Sequence, residues 1–481
     1  MTTAARERAW QHLLRTLGHP SGSAFLAADD AGQRLGTLDA PWVLEFGRAR
    51  ADRTITEVGV EVRLERDGSV PHVRLRIDED LLGWVGDHLN LAHDGPRDEL
   101  GRPTEVDGRA WARPWVDLVL SGIRRTILET AVATGVDWVE LDRWPQDRPY
   151  ALALSHDIDS LFEREPFALV HNAIGIVKPE RDMIRSRAEA ARRFARSALR
   201  PTDPLTPIGA LLDLEKELGI TATAFFLLDE RWSRHGARYH LGQRAVRAAI
   251  DAVLDAGHEV GIHTGTSYFT DPERLASWVE KLRSAGAPVE SIRGHYLCFD
   301  HERSFANAAA AGIRSDSTYG LPAFAGFRAG TGMPFLPPGA AVMELPLTLM
   351  DVSLFREAQP PRAVAERLLD DTRSVGGLLS VLWHNSYVGV PEYVHVEELL
   401  GDVLRRAHAD GAWLPSTRDA RRWLDTRDAV LLRLDRRALV VHAPAGSAVG
   451  LRVTGRAGTR HLSVDGGEHR ISLSWMPTPL P

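Results

Sequence analysis

The sequence contains a single cysteine, Cys298, among 481 residues. One cysteine cannot form an internal disulfide, and it excludes the metal sites that are built from several thiolates. Lysine is also scarce, because Lys178, Lys216 and Lys281 are the only three and nearly all positive charge is arginine. None of these lysines lies in a cluster of chemically active residues, which argues against Schiff-base chemistry.

The chain also lacks a strong charge imbalance and a long apolar run. Its formal net charge of −7 gives no attraction to nucleic acid. No apolar run approaches the roughly 18 residues that span a bilayer, and the first residues contain no signal-peptide core. We therefore expect a cytoplasmic protein without stable membrane insertion. Seven arginines at residues 178–200 leave peripheral contact with phosphates or a membrane open, although a solvated helix with Phe194 and Leu199 inward is the favoured interpretation.

Three regions differ in pattern. Residues 1–148 combine alternating, strand-like segments with a long apolar helix, and they predict an N-terminal α+β accessory domain. Residues 149–425 alternate strands with helices. Residues 426–481 contain short alternating strands and glycine turns, which predict a small all-β appendage.

The middle region repeats a strand–helix pattern that is typical of a mostly parallel sheet or barrel. The pattern alone does not decide whether the sheet closes. Polar groups begin immediately after five of its strands. These groups are Ser155–Asp159, His263–Ser267, Arg293–Tyr296, Ser315–Thr318 and Trp383–Ser386. Because active sites of parallel α/β folds form at the carboxyl ends of strands, these side chains are expected to converge.

Asp157 and Asp159 are two residues apart and share a face in extended backbone. Two carboxylates this close repel each other unless a cation lies between them or one is protonated, so a divalent metal is one interpretation and a solvated loop start is the other. His263 is a candidate ligand or a hydrogen-bonded structural histidine. His384 follows a very apolar strand, where its pKa could suit proton transfer. Arg293 is suited to orient a carboxylate.

These residues occur in the order of a known set of motifs. The segments are Asp157-Ile-Asp159, Gly257–His263, Arg293–Tyr296 and Leu382–His384. Together they resemble the polysaccharide deacetylases, also called the NodB-homology superfamily or carbohydrate esterase family 4, over residues 150–390. The first motif, Ser-His-Asp-Ile-Asp, and the later segment Gly326–Thr331 are similar to those of a divergent branch whose members look like enzymes of surface-polysaccharide or glycoconjugate assembly.

The resemblance implies an α/β fold with a distorted (β/α)7-type barrel and a divalent metal, usually zinc. Carried over by position, Asp157 is the general base, and Asp159 and His263 are metal ligands. Arg293 orients Asp157, and His384 is the general acid.

Further residues are assigned more loosely. Asp316 is the candidate partner of His384 in catalysis. Tyr296, Arg328 and Trp383 are candidate substrate contacts, with Arg328 suited to an anionic group.

One position departs from the family. Ser267 stands where the second motif normally has another histidine, so the metal site lacks one strong donor. Three outcomes follow: His295 or His156 supplies the missing nitrogen, Ser267 and water complete a weaker site, or the metal is lost. We assign His295 as the third ligand.

The expected function is metal-dependent removal of an N-acetyl group from an amino sugar or glycoconjugate intermediate. Two alternatives stay open. One is a catalytically inactive, deacetylase-fold protein that binds carbohydrate. The other is an amidohydrolase that acts on a small non-sugar amide.

Overall fold

The computed structural model describes most of the chain. The described residues are 3–18, 26–29, 32–35, 42–47, 61–67, 70–78, 80–105, 108–135, 137–161, 170, 173, 187–199, 205–228, 237, 239–266, 268–337, 339–357, 359–435 and 438–473. The chain divides into two compact units. The flanking unit contains Met1–Asn90, Trp115–Arg148 and Arg422–Pro481, and the barrel unit contains Leu91–Pro114 and Pro149–Arg421. The three-domain division expected from the sequence stays a prediction.

Both units contain helices and strands, which are numbered here along the chain. The helices are α1 Thr3–Thr16, α2 Asp80–Leu89, α3 Gly108–Trp111, α4 Trp115–Thr134, α5 Arg187–Leu199, α6 Thr206–Leu218, α7 Arg244–Asp255, α8 Pro272–Ser284, α9 Ser304–Ala310, α10 Asp351–Arg356, α11 Pro361–Val375, α12 Val394–Ala409 and α13 Thr417–Asp428. The strands are β1 Leu26–Asp29, β2 Gly32–Leu35, β3 Trp42–Gly47, β4 Glu61–Asp67, β5 Val70–Asp78, β6 Trp138–Leu141, β7 Ala151–Ile158, β8 Thr223–Leu227, β9 Glu259–Thr264, β10 Ser291–Gly294, β11 Ser315–Asp316, β12 Met343–Glu344, β13 Leu347–Met350, β14 Leu378–Leu382, β15 Leu431–Asp435, β16 Ala438–Gly455 and β17 Gly458–Ser472.

The barrel unit contains an eight-stranded sheet in the order β12-β11-β10-β9-β8-β7-β14-β13, and every pair in it is parallel. The two end strands, β12 and β13, are separated in sequence by Leu345 and Pro346 alone. Three Cα–Cα steps of about 3.8 Å cannot bridge a flat sheet of this width, so the sheet curls until its edges meet. Pro346 has no N–H to donate in a strand ladder, so it interrupts the chain between β12 and β13. The segment before it, β12, pairs with β11, and the segment after it, β13, pairs with β14. The distorted (β/α)7-type barrel expected from the sequence is confirmed.

Strand β7 explains why the site forms where it does. All eight of its residues are buried, as expected for a parallel strand covered on both faces. Successive side chains point to opposite faces. Asp157 therefore faces the barrel interior, where it contacts Arg293, while His156 faces the helices and contacts Glu215 on α6.

The helix-facing side of the sheet contains the main apolar core. Leu152, Leu154 and Val381 from the strands pack in one cluster with Leu400 and Leu404 of α12. Burying a side chain of this size contributes roughly 1.5–3 kcal/mol. This core therefore fixes the strands whose ends form the site.

Residues 91–114 pack on the barrel, although they lie within the range that the sequence assigned to the N-terminal domain. The Phe299 N–H donates to the Leu100 carbonyl, and the Phe327 N–H donates to the Trp111 carbonyl. Arg328 forms a buried ion pair with Asp94, with 2.6 Å between Nη2 and Oδ2. This segment is therefore part of the barrel unit.

The flanking unit contains a long antiparallel hairpin of β16 and β17. Strand β15 pairs with β16, and so does β6, which comes from the N-terminal part of the chain. Apolar side chains on these strands, including Leu141, Val441 and Leu451, form its core. The all-β segment predicted at the C-terminus thus shares a sheet with β6.

The arginine-rich helix α5 is partly paired. Arg196 lies 3.1 Å from Glu392, and Arg193 donates to the Tyr393 hydroxyl. The expectation that Leu199 faces inward is wrong, because 80% of its surface is exposed. Residues 178–186 and 200 lie outside the described residues. No helix in the described part of the chain has the length and apolar character needed to cross a bilayer.

Candidate metal and proton-transfer site

The carboxyl ends of β7, β9, β10 and β14 carry the side chains of the candidate site. Asp157 and Asp159 come from β7 and the residue after it, and His263 comes from β9. Nε2 of His263 lies 3.4 Å from Oδ2 of Asp157 and 3.3 Å from Oδ1 of Asp159. His384, just beyond β14, places Nε2 at 3.9 Å from Oδ2 of Asp159. The structure therefore brings four of the predicted side chains into one place.

Asp159, His263 and His295 form the candidate metal cluster, with one donor atom from each residue and all three atoms within 4.8 Å of one another. Of the two histidines considered as the replacement ligand, His295 lies in this cluster. His156 lies on the opposite face of β7. Ser267 is outside the described residues.

His263 is oriented to present a lone pair to the cluster. Its Nδ1 lies 3.0 Å from the Arg293 carbonyl oxygen, which can only accept, so Nδ1 carries the hydrogen. The other nitrogen, Nε2, then faces Asp157 and Asp159. This pairing of one nitrogen with a carbonyl is the usual way in which a ligating histidine is fixed. Burial alone would lower the pKa of His263, but the charge of Asp157, followed by that of Asp159, raises it.

Asp159 is held as a carboxylate. Burial alone would raise the pKa of Asp159, but the neighbouring His295 and then His263 outweigh it and hold the pKa well below its usual value. Its Oδ1 is buried and makes no hydrogen bond to any described residue. A buried carboxylate oxygen without a donor is an expected coordination position for a cation.

His295 and Tyr296 form the rim of the cluster. Burial lowers the pKa of His295 to about 4, despite the nearby carboxylate of Asp159. The lowered pKa keeps the imidazole neutral and able to ligate. Tyr296 stacks on His295 with 4.1 Å between ring centres and is 42% exposed. Tyr296 and Leu297 have φ values of 58° and 56°, a left-handed conformation that non-glycine residues seldom adopt. This strained turn is what places the tyrosine ring over the histidine.

The donor set fits a divalent transition metal. One carboxylate and two imidazoles, with a fixed tautomer at His263, match the ligands preferred by zinc. Catalytic zinc sites use three protein ligands and leave a further position open. Asp159, His263 and His295 supply that number.

Asp157 is oriented by a fully buried arginine. Nη1 of Arg293 lies 3.0 Å from Oδ1 of Asp157 and 2.8 Å from the Ser155 hydroxyl. Nε and Nη2 of the same guanidinium donate to the carbonyl and hydroxyl of Ser317, each at 3.0 Å. The guanidinium carbon also lies 4.5 Å from the centre of the Phe225 ring. Because Arg293 occupies Oδ1, only Oδ2 of Asp157 faces the cluster.

His384 is paired with Asp351, a residue that sequence reasoning missed. Nδ1 of His384 lies 2.8 Å from Oδ1 of Asp351, and the backbone N–H of His384 donates to Oδ2 at 2.6 Å. Burial alone would lower the pKa of His384, but Asp351 outweighs it and raises the pKa to about 10. The ring therefore carries a proton on Nε2, the nitrogen that faces the cluster.

The assignment of Asp316 as the partner of His384 is wrong. Asp316 lies on β11, which is not adjacent to β14 in the barrel sheet, and Nδ1 of His384 is paired with Asp351 instead. Asp316 accepts a hydrogen bond from the Thr318 hydroxyl, and burial raises its pKa to about 7. Asp316 is therefore a barrel-interior residue.

Two expected substrate contacts are also displaced. Trp383 is fully buried within the helix-side core. Arg328 is 2% exposed and donates to Asp94 and to the Gly320 carbonyl. Neither side chain can reach a ligand in this conformation, contrary to the expectation from the sequence. Tyr296 is the predicted substrate contact that lies at the surface.

A positional signal for Asp351 was present in the sequence. It directly follows the short strand β13, as the other site residues follow theirs. That strand is four residues long and is preceded by Pro346, a residue that argues against a strand interior.

No protein-family model matches the chain, and no curated protein matches its sequence. Among solved structures, a putative polysaccharide deacetylase from Mycobacterium smegmatis is 18% identical, with a TM-score of 0.41 over 61% of this chain and 96% of that one. A probable polysaccharide deacetylase from Pseudomonas aeruginosa PAO1 is 15% identical, with a TM-score of 0.38 over 59% and 93%. A GH57 branching enzyme from Thermococcus kodakaraensis is 12% identical, with a TM-score of 0.32 over 58% and 71%. At identities and TM-scores this low, structural similarity carries no argument about function, so the function is inferred from the side chains of this chain.

Proposed function

We propose that this protein is a metal-dependent hydrolase that removes the N-acetyl group of an amino sugar or glycoconjugate intermediate. One observation carries the proposal. A cluster of Asp159, His263 and His295 lies between an arginine-paired carboxylate, Asp157, and an aspartate-paired histidine, His384. A cation site with a base and an acid beside it is the set of groups that amide hydrolysis requires.

Asp159, His263 and His295 would hold the metal, most suitably Zn²⁺. When bound, it would supply Lewis acidity toward a carbonyl oxygen and toward water. Asp159 contributes charge to the site, and the two histidines contribute nitrogen donors. Because the carboxylates raise the pKa of His263, metal binding there would release a proton from its Nε2.

Asp157 is the candidate general base. Its Oδ2 faces the cluster, and Arg293 keeps the carboxylate oriented through Oδ1. A carboxylate with one fixed oxygen and one open oxygen can accept a proton from a water molecule that attacks the amide carbon.

His384 is the candidate general acid. The leaving amine of an amide must be protonated, because otherwise the tetrahedral intermediate reverts to amide. Asp351 binds Nδ1 and leaves the protonated Nε2 directed at the cluster. A proton on Nε2 can therefore pass to the departing nitrogen.

The sugar component of the proposal is supported by Tyr296. Its ring is exposed beside the cluster and is held in place by stacking on His295. An exposed aromatic face provides an apolar surface that would suit the C–H face of a pyranose ring.

The test is acetate release by the purified 481-residue chain from three substrate groups: N-acetylhexosamine oligomers, nucleotide N-acetylhexosamines, and N-acetylated amino acids as non-sugar amides. Bound metal is measured on the same sample by mass spectrometry. We expect stoichiometric zinc and acetate release from an amino sugar, lost after chelation and restored by Zn²⁺. Release from amino acids alone would reassign the substrate to a non-sugar amide. Metal-free protein that releases no acetate after Zn²⁺ addition would overturn the proposal.

A further inference from the structure

Three buried polar side chains meet on the helix side of the barrel, outside the site described above. His156 lies on β7, Glu215 on α6, and His258 just before β9, and they are 3%, 2% and 7% exposed. Nε2 of His156 lies 2.7 Å from Oε1 of Glu215, and Nε2 of His258 lies 3.3 Å from Oε2. A buried polar network of this kind is costly unless each member has its partners.

The hydrogen positions follow from the backbone partners. Nδ1 of His258 accepts from the Ala222 N–H at 2.9 Å, so the hydrogen of a neutral ring is on Nε2 and points at Glu215. A metal would need a lone pair at that same nitrogen, so this arrangement is a hydrogen-bond network and does not suit a metal. Nδ1 of His156 lies 2.7 Å from the Trp383 carbonyl oxygen, which can only accept. His156 therefore donates to that carbonyl.

The Trp383 carbonyl belongs to the peptide group that leads into His384. One edge of this peptide accepts from His156, and the other edge, the N–H of His384, donates to Asp351. The Trp383 N–H donates to the Ser155 carbonyl at 2.9 Å. The orientation of this peptide sets the direction in which the side chain of His384 leaves the backbone. Two side chains, one on each edge, thus determine where the imidazole points.

We propose that His156 is a positioning residue for His384, acting through the Trp383–His384 peptide, and that Glu215 and His258 hold His156 in place. This inference rests on the proposed function, because it assigns a role toward the candidate general acid. Asp351 orients the ring directly, whereas His156 fixes the backbone from which the ring extends. Displacement of a reacting group by about 1 Å can cost on the order of 100-fold in rate.

Two substitutions separate this role from a structural one. In His156→Asn, the side-chain amide can occupy the position of Nδ1 and still donate to Trp383, but it cannot reach Glu215. In His156→Gln, the longer amide can occupy the position of Nε2 and contact Glu215, but it leaves the Trp383 carbonyl without its donor. Both variants remove the imidazole and one of its two bonds.

We expect His156→Gln to lose about 10–100-fold in kcat with little change in KM, and His156→Asn to retain most of kcat. Thermal stability should instead be lower in His156→Asn than in His156→Gln, because only the asparagine variant leaves Glu215 short of a buried partner. Bound metal should be unchanged in both variants. If the less thermally stable variant is also the one with the lower kcat, or if kcat falls equally in both variants, His156 is structural and the proposal is wrong.

A measurement that is independent of catalysis keeps this test separate from the proposed function. Hydrogen exchange of the backbone amide of His384 should be faster in His156→Gln than in His156→Asn, because the peptide loses its hydrogen bond to residue 156 only in the former, while Asp351 holds the N–H in both. This comparison can be made by mass spectrometry even if the wild-type chain releases no acetate. Equal exchange at this amide in the two variants would refute the positioning role.

Discussion

Two clusters of carboxylates and imidazoles with donor atoms close enough to hold a metal ion occur among the described residues, and they differ in how they are built. The barrel cluster consists of Asp159, His263 and His295. The surface cluster, in the flanking unit, consists of Asp142, Asp147 and His461. In each, the donor atoms lie within 4.8 Å of one another. Both also contain one buried carboxylate oxygen with no hydrogen-bond partner in the described part of the chain, on Asp159 and on Asp142.

The clusters differ in whether the histidine tautomer is fixed and in whether a carboxylate is already paired with an arginine. In the barrel cluster, the Arg293 carbonyl fixes the hydrogen of His263 and leaves the lone pair directed inward. In the surface cluster, Asp147 is already paired with Arg452, and the side chain of His461 is 54% exposed. A carboxylate that already holds an arginine gains less from a cation. Proximity of donors is therefore a weaker criterion than lone pairs that are oriented in advance.

The largest expected effect comes from removing the base without touching a metal donor. Asp157→Asn should lower kcat by roughly 10²–10⁴-fold and leave bound metal unchanged, because the amide still accepts from Arg293 but cannot take a proton. The measurement is steady-state acetate release together with metal analysis. Asp147→Asn, in the surface cluster, is the matched control and should change neither quantity. Near-wild-type kcat in Asp157→Asn would show that the base is another residue.

A smaller effect is expected from direct substitution of one histidine in each cluster. His263→Ala should weaken metal binding by at least 10–100-fold, since it removes an oriented nitrogen donor. His461→Ala should leave metal content and activity at the wild-type level. Competition with a chromogenic chelator gives both affinities. Loss of the metal from His461→Ala with retention in His263→Ala would reverse the comparison between the clusters.

The third expected effect is a change in pH dependence. Asp351 raises the pKa of His384 to about 10, so the acid form is present below that pH and is lost as pH rises through it. Asp351→Asn removes the charge, and the pKa of His384 should fall toward its ordinary value of about 6.5. The alkaline limb of the kcat profile should therefore move to lower pH. An alkaline limb that stays in place in this variant would show that another group donates the proton.

Much of the site was predictable because strand ends are visible in sequence. Asp157, His263 and His384 each follow or end a short apolar run, and parallel strands bring such positions together. The same signal failed where the strand was hard to identify, as for β13 and Asp351. It also failed for Asp316, because the order of strands around the barrel is not encoded in any local pattern.

Other features could not be read from local sequence at all. Trp383 adjoins His384 and was expected at the site, but alternation along the chain sends it into the helix-side core. The partner of Arg328 is Asp94, which lies 234 positions earlier in the chain. The tautomer of His263 depends on a carbonyl of the neighbouring strand. Each of these depends on contacts between distant segments.

The ion pair between Arg328 and Asp94 also bears on how the chain acquires its structure during synthesis. Asp94 leaves the ribosome 234 residues before its partner. At about 5–20 residues per second, the arginine is synthesised roughly 10–50 s after the aspartate. Leu100 and Trp111 are likewise synthesised well before their partners Phe299 and Phe327. The early segment is thus translated long before its place on the barrel exists, so its contacts with the barrel form late in synthesis.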